Sequence, residues 1–264
     1  VTIFAKTRHH YDSYEDFWRL VELSGYQTCF VDEIRIDSDE TFIITPMNGE
    51  LPPHIRNQAD LPRLARLILW CLERFDATGA KPMSEAVTEA LETVDVVWVS
   101  DRWVSTHDAR LKYVPFGSHP GLSMGVSGLR QYDFTHQSYA WGRREVMYGI
   151  LKKMGFKEGP SAWGMQKHEV MAASGLVLNL QQYRDPVTAP IRFALAAAHK
   201  LPIVSETLLD PYPLTGLVHT ANYDSIPSAV RANLKDPNRA EVAEEIYRVL
   251  CEEMTFRCCV EAAL

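Results

Sequence analysis

Residues 175–206 read GLVLNLQQYRDPVTAPIRFALAAAHKLPIVSE, and this stretch decides the fold. Gly175 to Leu180 is an apolar run long enough for a buried strand and too short for a helix. Gln181 to Pro190 is a polar loop punctuated by two prolines. Ile191, Ala194, Leu195 and Ala198 then recur at i, i+3, i+4 and i+7, the apolar side of a helix whose alanines let it lie close to a sheet. Leu201 to Ser205 reads as a second buried strand, ending at Glu206. Strand, crossover helix and parallel strand form a right-handed unit, and such sheets bind ligands beyond the carboxyl ends of their strands. Asn179, Gln181, Gln182, Ser205 and Glu206 occupy those ends.

Arg192 is out of place in this unit. A cation in the first turn of a helix is disfavoured by roughly 0.3–1 kcal/mol, and an anion held there reverses the penalty. Two readings stay open: an arginine that meets phosphate, and an exposed arginine with its head in water.

The chain has 264 residues, 46% of them apolar and 23% charged, enough for one large or two medium domains with real cores. A net charge of −7 argues against broad electrostatic attraction to nucleic acid. No apolar run approaches membrane-spanning length and the first residues lack a leader pattern, so a cytoplasmic protein is expected. The five cysteines are odd in number and scattered, as expected for reduced thiols.

The opening residues repeat the βαβ logic. Strands are expected at Thr2 to Ala5, Tyr26 to Val31, Phe42 to Thr45, Val94 to Ser100 and Leu111 to Val114; Leu61 to Leu72 reads either as a helix or as a helix followed by a strand at Arg66 to Leu72, with Glu73 at its end. Helices are expected from Ser13, with Phe17, Leu20, Val21 and Leu23 inward, and over Glu85 to Glu92. Pro115 to Gly128, rich in Gly, Pro and Ser, is the linker candidate. Beyond it, Tyr132 to Gln137 alternates like a strand. Trp141 to Met154 is expected as a helix with Val146, Met147, Ile150 and Leu151 inward, and Lys167 to Ser174 as a short helix. Leu217 to Thr220, Ile226 to Leu234 and a final amphipathic helix, Arg239 to Met254, complete the series. The expected class is α/β, with two Rossmann-like doubly wound domains, 1–120 and 121–264, facing a central cleft.

Three segments carry a resemblance. Tyr113-Val-Pro-Phe-Gly-Ser-His is similar to the interdomain passage of the GT-B glycosyltransferases, with Gly117 matching and Phe116 and His119 departing. Ser138 to Arg144 resembles their donor-phosphate loop, and Arg192 to Ser205 their donor-site helix and following strand. The chain resembles the retaining, nucleotide-sugar-dependent, family 4-like and spore-maturation-like members. Leu195 stands where that family places a ribose-gripping glutamate, and Lys200 where it places a glycine.

The resemblance implies a metal-independent, retaining transfer of a sugar from a nucleotide diphosphate donor, such as a UDP-sugar, to an unidentified acceptor. The donor is a co-substrate, and no cofactor is implied. Arginines and helix N-termini would neutralise the diphosphate leaving group. The expected donor set is Ser138, Tyr139, Arg143, Arg144, Gln166, Asn179, Arg192 and Glu206, with Trp163 and Gln166 near the nucleobase. His10 and Glu73, at strand ends of the first half, are the expected catalytic pair; His9, Asn48, Glu50 and Asp101 are further acceptor-side candidates. Asp37, Asp39 and Glu40 form an acidic loop that reads as solvated rather than metal-binding. Two other readings remain: a non-catalytic binding protein on the same scaffold, favoured by Leu195, and a transferase acting on modified nucleic-acid bases through a groove containing Lys112 and Arg130.

Overall fold

The computed structural model describes residues 1–6, 15–45, 55, 64–72, 83–181 and 189–264. The chain divides into two compact units. One comprises Val1–Pro115 and Cys259–Leu264, the other Phe116–Cys258. The sequence division at 120/121 therefore falls inside the second of these units, and the last six residues belong to the first.

In the first unit a six-stranded sheet runs in the order β2-β1-β3-β4-β5-β6. Its strands are β1 (Thr2–Lys6), β2 (Gln27–Phe30), β3 (Thr41–Ile44), β4 (Arg66–Cys71), β5 (Val96–Val99) and β6 (Leu111–Tyr113), all paired in parallel. Parallel strands are covered on both faces, so they read as unbroken apolar runs. Residues 67–71 of β4 are all buried, as are 97–99 of β5. Helix α1 (Glu15–Leu23) buries Phe17, Trp18, Leu20 and Val21, and leaves Leu23 only half-buried. Helix α2 (Met83–Leu91) and the short α3 (Arg102–Ser105) follow, the latter capped by Asp101, whose carboxylate accepts from the amides of Trp103 and Val104. An aromatic cluster fills the core, with Trp70 edge-on to Trp98 at 5.5 Å and to Phe17 at 6.4 Å.

The second unit contains β7 (Val177–Asn179), β8 (Ile203–Glu206) and β9 (His219–Ala221), also parallel. Tyr132 to Gln137 does not form the expected strand. It makes only isolated parallel bridges, Tyr132 with Ser174 and Thr135 with Val177 on one side, and Phe134 with Glu158 on the other. The backbone order is thus Glu158, residues 132–135, β7, β8, β9. That is the same crossover order as the first five strands of the first sheet.

Helix α4 (Arg143–Lys153) differs from expectation in the face it buries. Arg144, Met147, Tyr148 and Leu151 are inside, while Val146 and Ile150 are exposed. The Nε of Arg144 donates to the Leu180 carbonyl at 2.9 Å, which lets a charged residue replace an apolar one on the inner face. With α7 (Ile226–Lys235), α4 covers one side of the sheet around Phe134, Leu178, Val204 and Val230. Between α4 and α7 in the chain lie α5 (Gly164–Ala172) and α6 (Pro190–Ala198), the helix of the opening stretch. In α6 Phe193 and residues 194–198 are buried and Ile191 is half-buried. Most of the alanine side is thus in the core.

The expected linker is partly core. Phe116, Ser118 and Leu122 are buried; the Ser118 hydroxyl donates to the Ala194 carbonyl at 2.8 Å, and a Cβ on Gly117 would stand 1.9 Å from the Met254 carbonyl oxygen. Only glycine fits that approach. The final expected helix, Arg239 to Met254, is two elements, α8 (Arg239–Tyr247) and a π-helical turn at Arg248–Glu253, and an unexpected helix, α9 (Phe256–Ala263), follows them. No helix among the described residues is long and apolar enough to cross a membrane.

Candidate functional site

Open parallel sheets bind ligands at the point where the strand order reverses, beyond the carboxyl ends. In the second unit that point lies between residues 132–135 and β7. The chain leaves each strand there into a loop and a helix, so both α4 and α6 begin at this edge. Neither helix start carries a side-chain cap: Gly142 precedes α4 with φ 59° and Ala189 precedes α6. In α4 the first amides face outward for an anion, whereas α6 begins with Pro190, which has no N–H, and offers only the amides that follow it.

Four of the expected residues converge here from separate elements. Arg143, on α4, binds Glu206, at the end of β8, through two hydrogen bonds of 2.6 and 2.7 Å, and donates to the Gln181 carbonyl at 3.1 Å. Its guanidinium lies 4.2 Å from the Tyr223 ring centre, and the Tyr223 hydroxyl donates to the Arg143 carbonyl. Glu206 also accepts from the Gln181 amide at 2.8 Å. Arg192, on α6, donates to the side-chain oxygen of Asn179 and to the Gln137 carbonyl at 3.4 Å. These two acceptors offset the cost of a cation in the first turn. Asn179, wholly buried at the end of β7, donates in turn to the Ser205 hydroxyl at 2.8 Å. Arg144 joins from the buried side through the Leu180 carbonyl. Three guanidiniums, of Arg143, Arg144 and Arg192, thus gather at this edge with the carboxylate of Glu206.

A second polar chain adjoins the first. Ser138 is half-buried, with its hydroxyl 3.1 Å from the Tyr148 hydroxyl, and His136 stacks on Tyr148 with ring centres 3.9 Å apart. The two ring nitrogens of His136 lie 3.0 Å from the Ser138 carbonyl and 2.7 Å from the Glu158 carboxylate, which also meets Lys152 at 2.8 Å. The His136 hydrogen bond, opposed by burial and helped by Lys152, holds the Glu158 carboxyl below its ordinary value. Burial pushes the Tyr148 phenol up, with the Ser138 hydrogen bond opposing it.

Tyr139 and Trp163 lie together, ring centres 5.4 Å apart, with Tyr139 about half exposed and the Lys167 ammonium 5.5 Å from the Trp163 ring. Gln166 is exposed in the first turn of α5 and joins none of the hydrogen bonds described above. His9, His10, Asn48, Glu50 and Glu73 lie outside the described residues. Asp101 caps α3, and Asp37 and Asp39 are exposed, Asp37 beside Arg35 at 3.5 Å. Among the described residues no group of three or more His, Cys, Asp or Glu is arranged to hold a metal ion. Sequence reasoning missed His136, Tyr148, Glu158 and Tyr223. His136 was within reach, since it immediately precedes two residues assigned to the same strand end.

This architecture is shared with solved structures. The α,α-trehalose-phosphate synthase (UDP-forming) of Burkholderia xenovorans, solved with glucose-6-phosphate, superposes with a TM-score of 0.57 at 10% identity, over 96% of this chain and 76% of that one. AviGT4, a glycosyltransferase involved in avilamycin A biosynthesis, gives 0.57 at 9% identity, over 100% of this chain and 96% of that one. The N-terminal domain of Candida albicans trehalose-6-phosphate phosphatase gives 0.57 at 10% identity, over 98% and 76%. The fold is that of the GT-B glycosyltransferases. No protein-family model and no curated protein matches the sequence. Identity this low carries fold alone, so any activity must be argued from the site.

Proposed function

We propose that the chain is a glycosyltransferase that takes a sugar from a nucleotide diphosphate donor, bound at the carboxyl edge of the second unit's sheet, to an acceptor. The observation that carries this reading is the gathering of three guanidiniums at the point where the strand order reverses, together with two helix starts free of side-chain caps. A departing nucleoside diphosphate needs charge stabilisation where its oxygens develop it, and fixed guanidiniums and amides provide it without rearranging. Arg143, Arg144 and Arg192 are the donor-phosphate ligands in this reading, with Glu206 holding Arg143 in place. Ser138 and Asn179 hold these groups in place, the Tyr139–Trp163 pair and Gln166 face the base, and His10 and Glu73 act on the acceptor. Transfer is metal-independent and retains the anomeric configuration, as the family resemblance implies.

Thermal unfolding with UDP, GDP and their sugars tests the donor site. At about a hundredfold excess over Kd the matching nucleotide should raise Tm by roughly 5–10 °C. No rise with any of them removes the reading.

One observation favours a second reading, a binding protein without turnover. Leu195 is buried in α6, so the helix position that grips ribose in the resembling family faces core here. Binding of a nucleotide sugar with no release of free nucleotide in the presence of acceptor extracts selects that alternative.

A further inference from the structure

Helix α4 turns an apolar strip away from its own core. Val146, Ile150 and Met154 follow one another at four-residue intervals with 58%, 38% and 43% of their surface exposed. Single exposed apolar residues are ordinary, but a continuous strip along one helix marks an interaction surface. Gly149 lies beside the strip, and a Cβ placed on it would meet nothing within 4 Å. A partner helix can therefore approach closely at that point.

The charges on α4 indicate what the partner is. Glu145 lies in its first turn and Lys152 and Lys153 in its last. Lys152 is engaged by Glu158, whereas Glu145 and Lys153 are both exposed and have no ion-pair partner among the described residues. A helix acidic at its start and basic at its end complements itself when turned end for end. A two-fold axis near Gly149 sets Glu145 of each copy near Lys153 of the other, and brings the two Val146–Ile150 strips together. The helix dipoles are then opposed, which also favours the pairing. We propose that α4 packs antiparallel on α4 of a second copy of this chain. A single helix pair buries less than the roughly 1,000 Å² typical of stable interfaces, so the dimer is a weak one, with Kd roughly between 1 and 100 μM.

Sedimentation equilibrium of the whole chain from about 5 to 300 μM reads this directly. The expected result is a monomer–dimer equilibrium that Ile150→Asp abolishes and Val146→Lys also removes, both variants keeping the parent far-UV circular dichroism. Glu145→Lys should weaken association about fivefold, and Glu145→Lys combined with Lys153→Glu should restore it. A monomer throughout the range overturns the proposal. A dimer unmoved by both Ile150→Asp and Val146→Lys overturns it too.

Discussion

Among the described residues, the first unit presents Lys6, at the end of β1, and Thr45, directly after β3, at the reversal point of its sheet. At the matching place the second unit gathers Arg143, Arg144, Arg192, Asn179 and Glu206. Strand order there is the same in both, yet the chemistry differs. Lys6 lies 5.3 Å from the Phe30 ring centre and 6.0 Å from that of Trp18, a cation resting on aromatic faces. The arginines instead form a hydrogen-bonded network across three chain segments. The regularity of the two sheets is opposite to this polarity. The first has six paired strands around Trp70 and Trp98, whereas the second replaces two strands with isolated bridges and ties their ends by side chains. Topology selects where a ligand can lie; the residues at the strand ends decide what it is.

Truncation in the two cores is the most severe way to separate them. Trp70→Ala and Phe134→Ala should each cost about 3–5 kcal/mol in denaturant unfolding. Only Phe134→Ala should also weaken binding of whichever nucleotide raises Tm at the proposed donor site, since Phe134 adjoins Thr135, whose hydroxyl accepts from Gln137 at 3.2 Å. Equal loss of that affinity in both variants breaks the comparison. Next is Glu206→Ala, which leaves the part-buried Arg143 without its carboxylate and should destabilise the chain by about 2–3 kcal/mol. Adding Arg143→Ala should recover part of that loss in a double-mutant cycle read by urea unfolding.

Arg192→Ala sharpens the contrast at the proposed donor site. Calorimetry with the nucleotide that raises Tm should show binding weakened about 10- to 100-fold, against less than about twofold for Lys6→Ala. The smallest effect concerns acid. Glu158 is held below its ordinary value of 4.5, so the folded state binds its proton less readily than the unfolded chain. Its contribution is present above about pH 4.5 and is lost as pH falls through the lower folded value. Glu158→Gln should flatten that acid limb of the stability curve, and an unchanged limb would show that His136 and Lys152 do not favour the carboxylate.

The first sheet was legible because buried parallel strands are written as apolar runs, and each of its six strands falls within about two residues of its expected place, β4 as the strand alternative at Arg66 to Leu72. The second was harder for a physical reason. The stretch 132–137 alternates correctly, but its neighbour at Glu158 supplies a single bridge, too little to make a strand. The face of α4 was misread because periodicity counts apolar residues, while Arg144 is buried by a carbonyl that only the fold brings to it. The strand-end rule pointed to Asn179 and Glu206, whereas Arg143 came from the resemblance and Arg192 from its place in the first turn of a helix. The pairings followed from none of these, since Arg143 and Glu206 are 63 positions apart and His136 and Glu158 are 22. The helix Phe256–Ala263 was hidden by the π-helical turn before it, which shifts the apolar phase.

The first unit is discontinuous, and this matters during synthesis. Its sheet ends at Tyr113, but Arg66 donates to the Leu264 carbonyl at 2.9 Å and Lys112 to that of Ala263. A ribosome must therefore translate the whole intervening unit before those two basic side chains meet their carbonyl acceptors. A nascent chain arrested after residue 115 holds an unfinished domain, a natural substrate for chaperones until Cys259–Leu264 emerge.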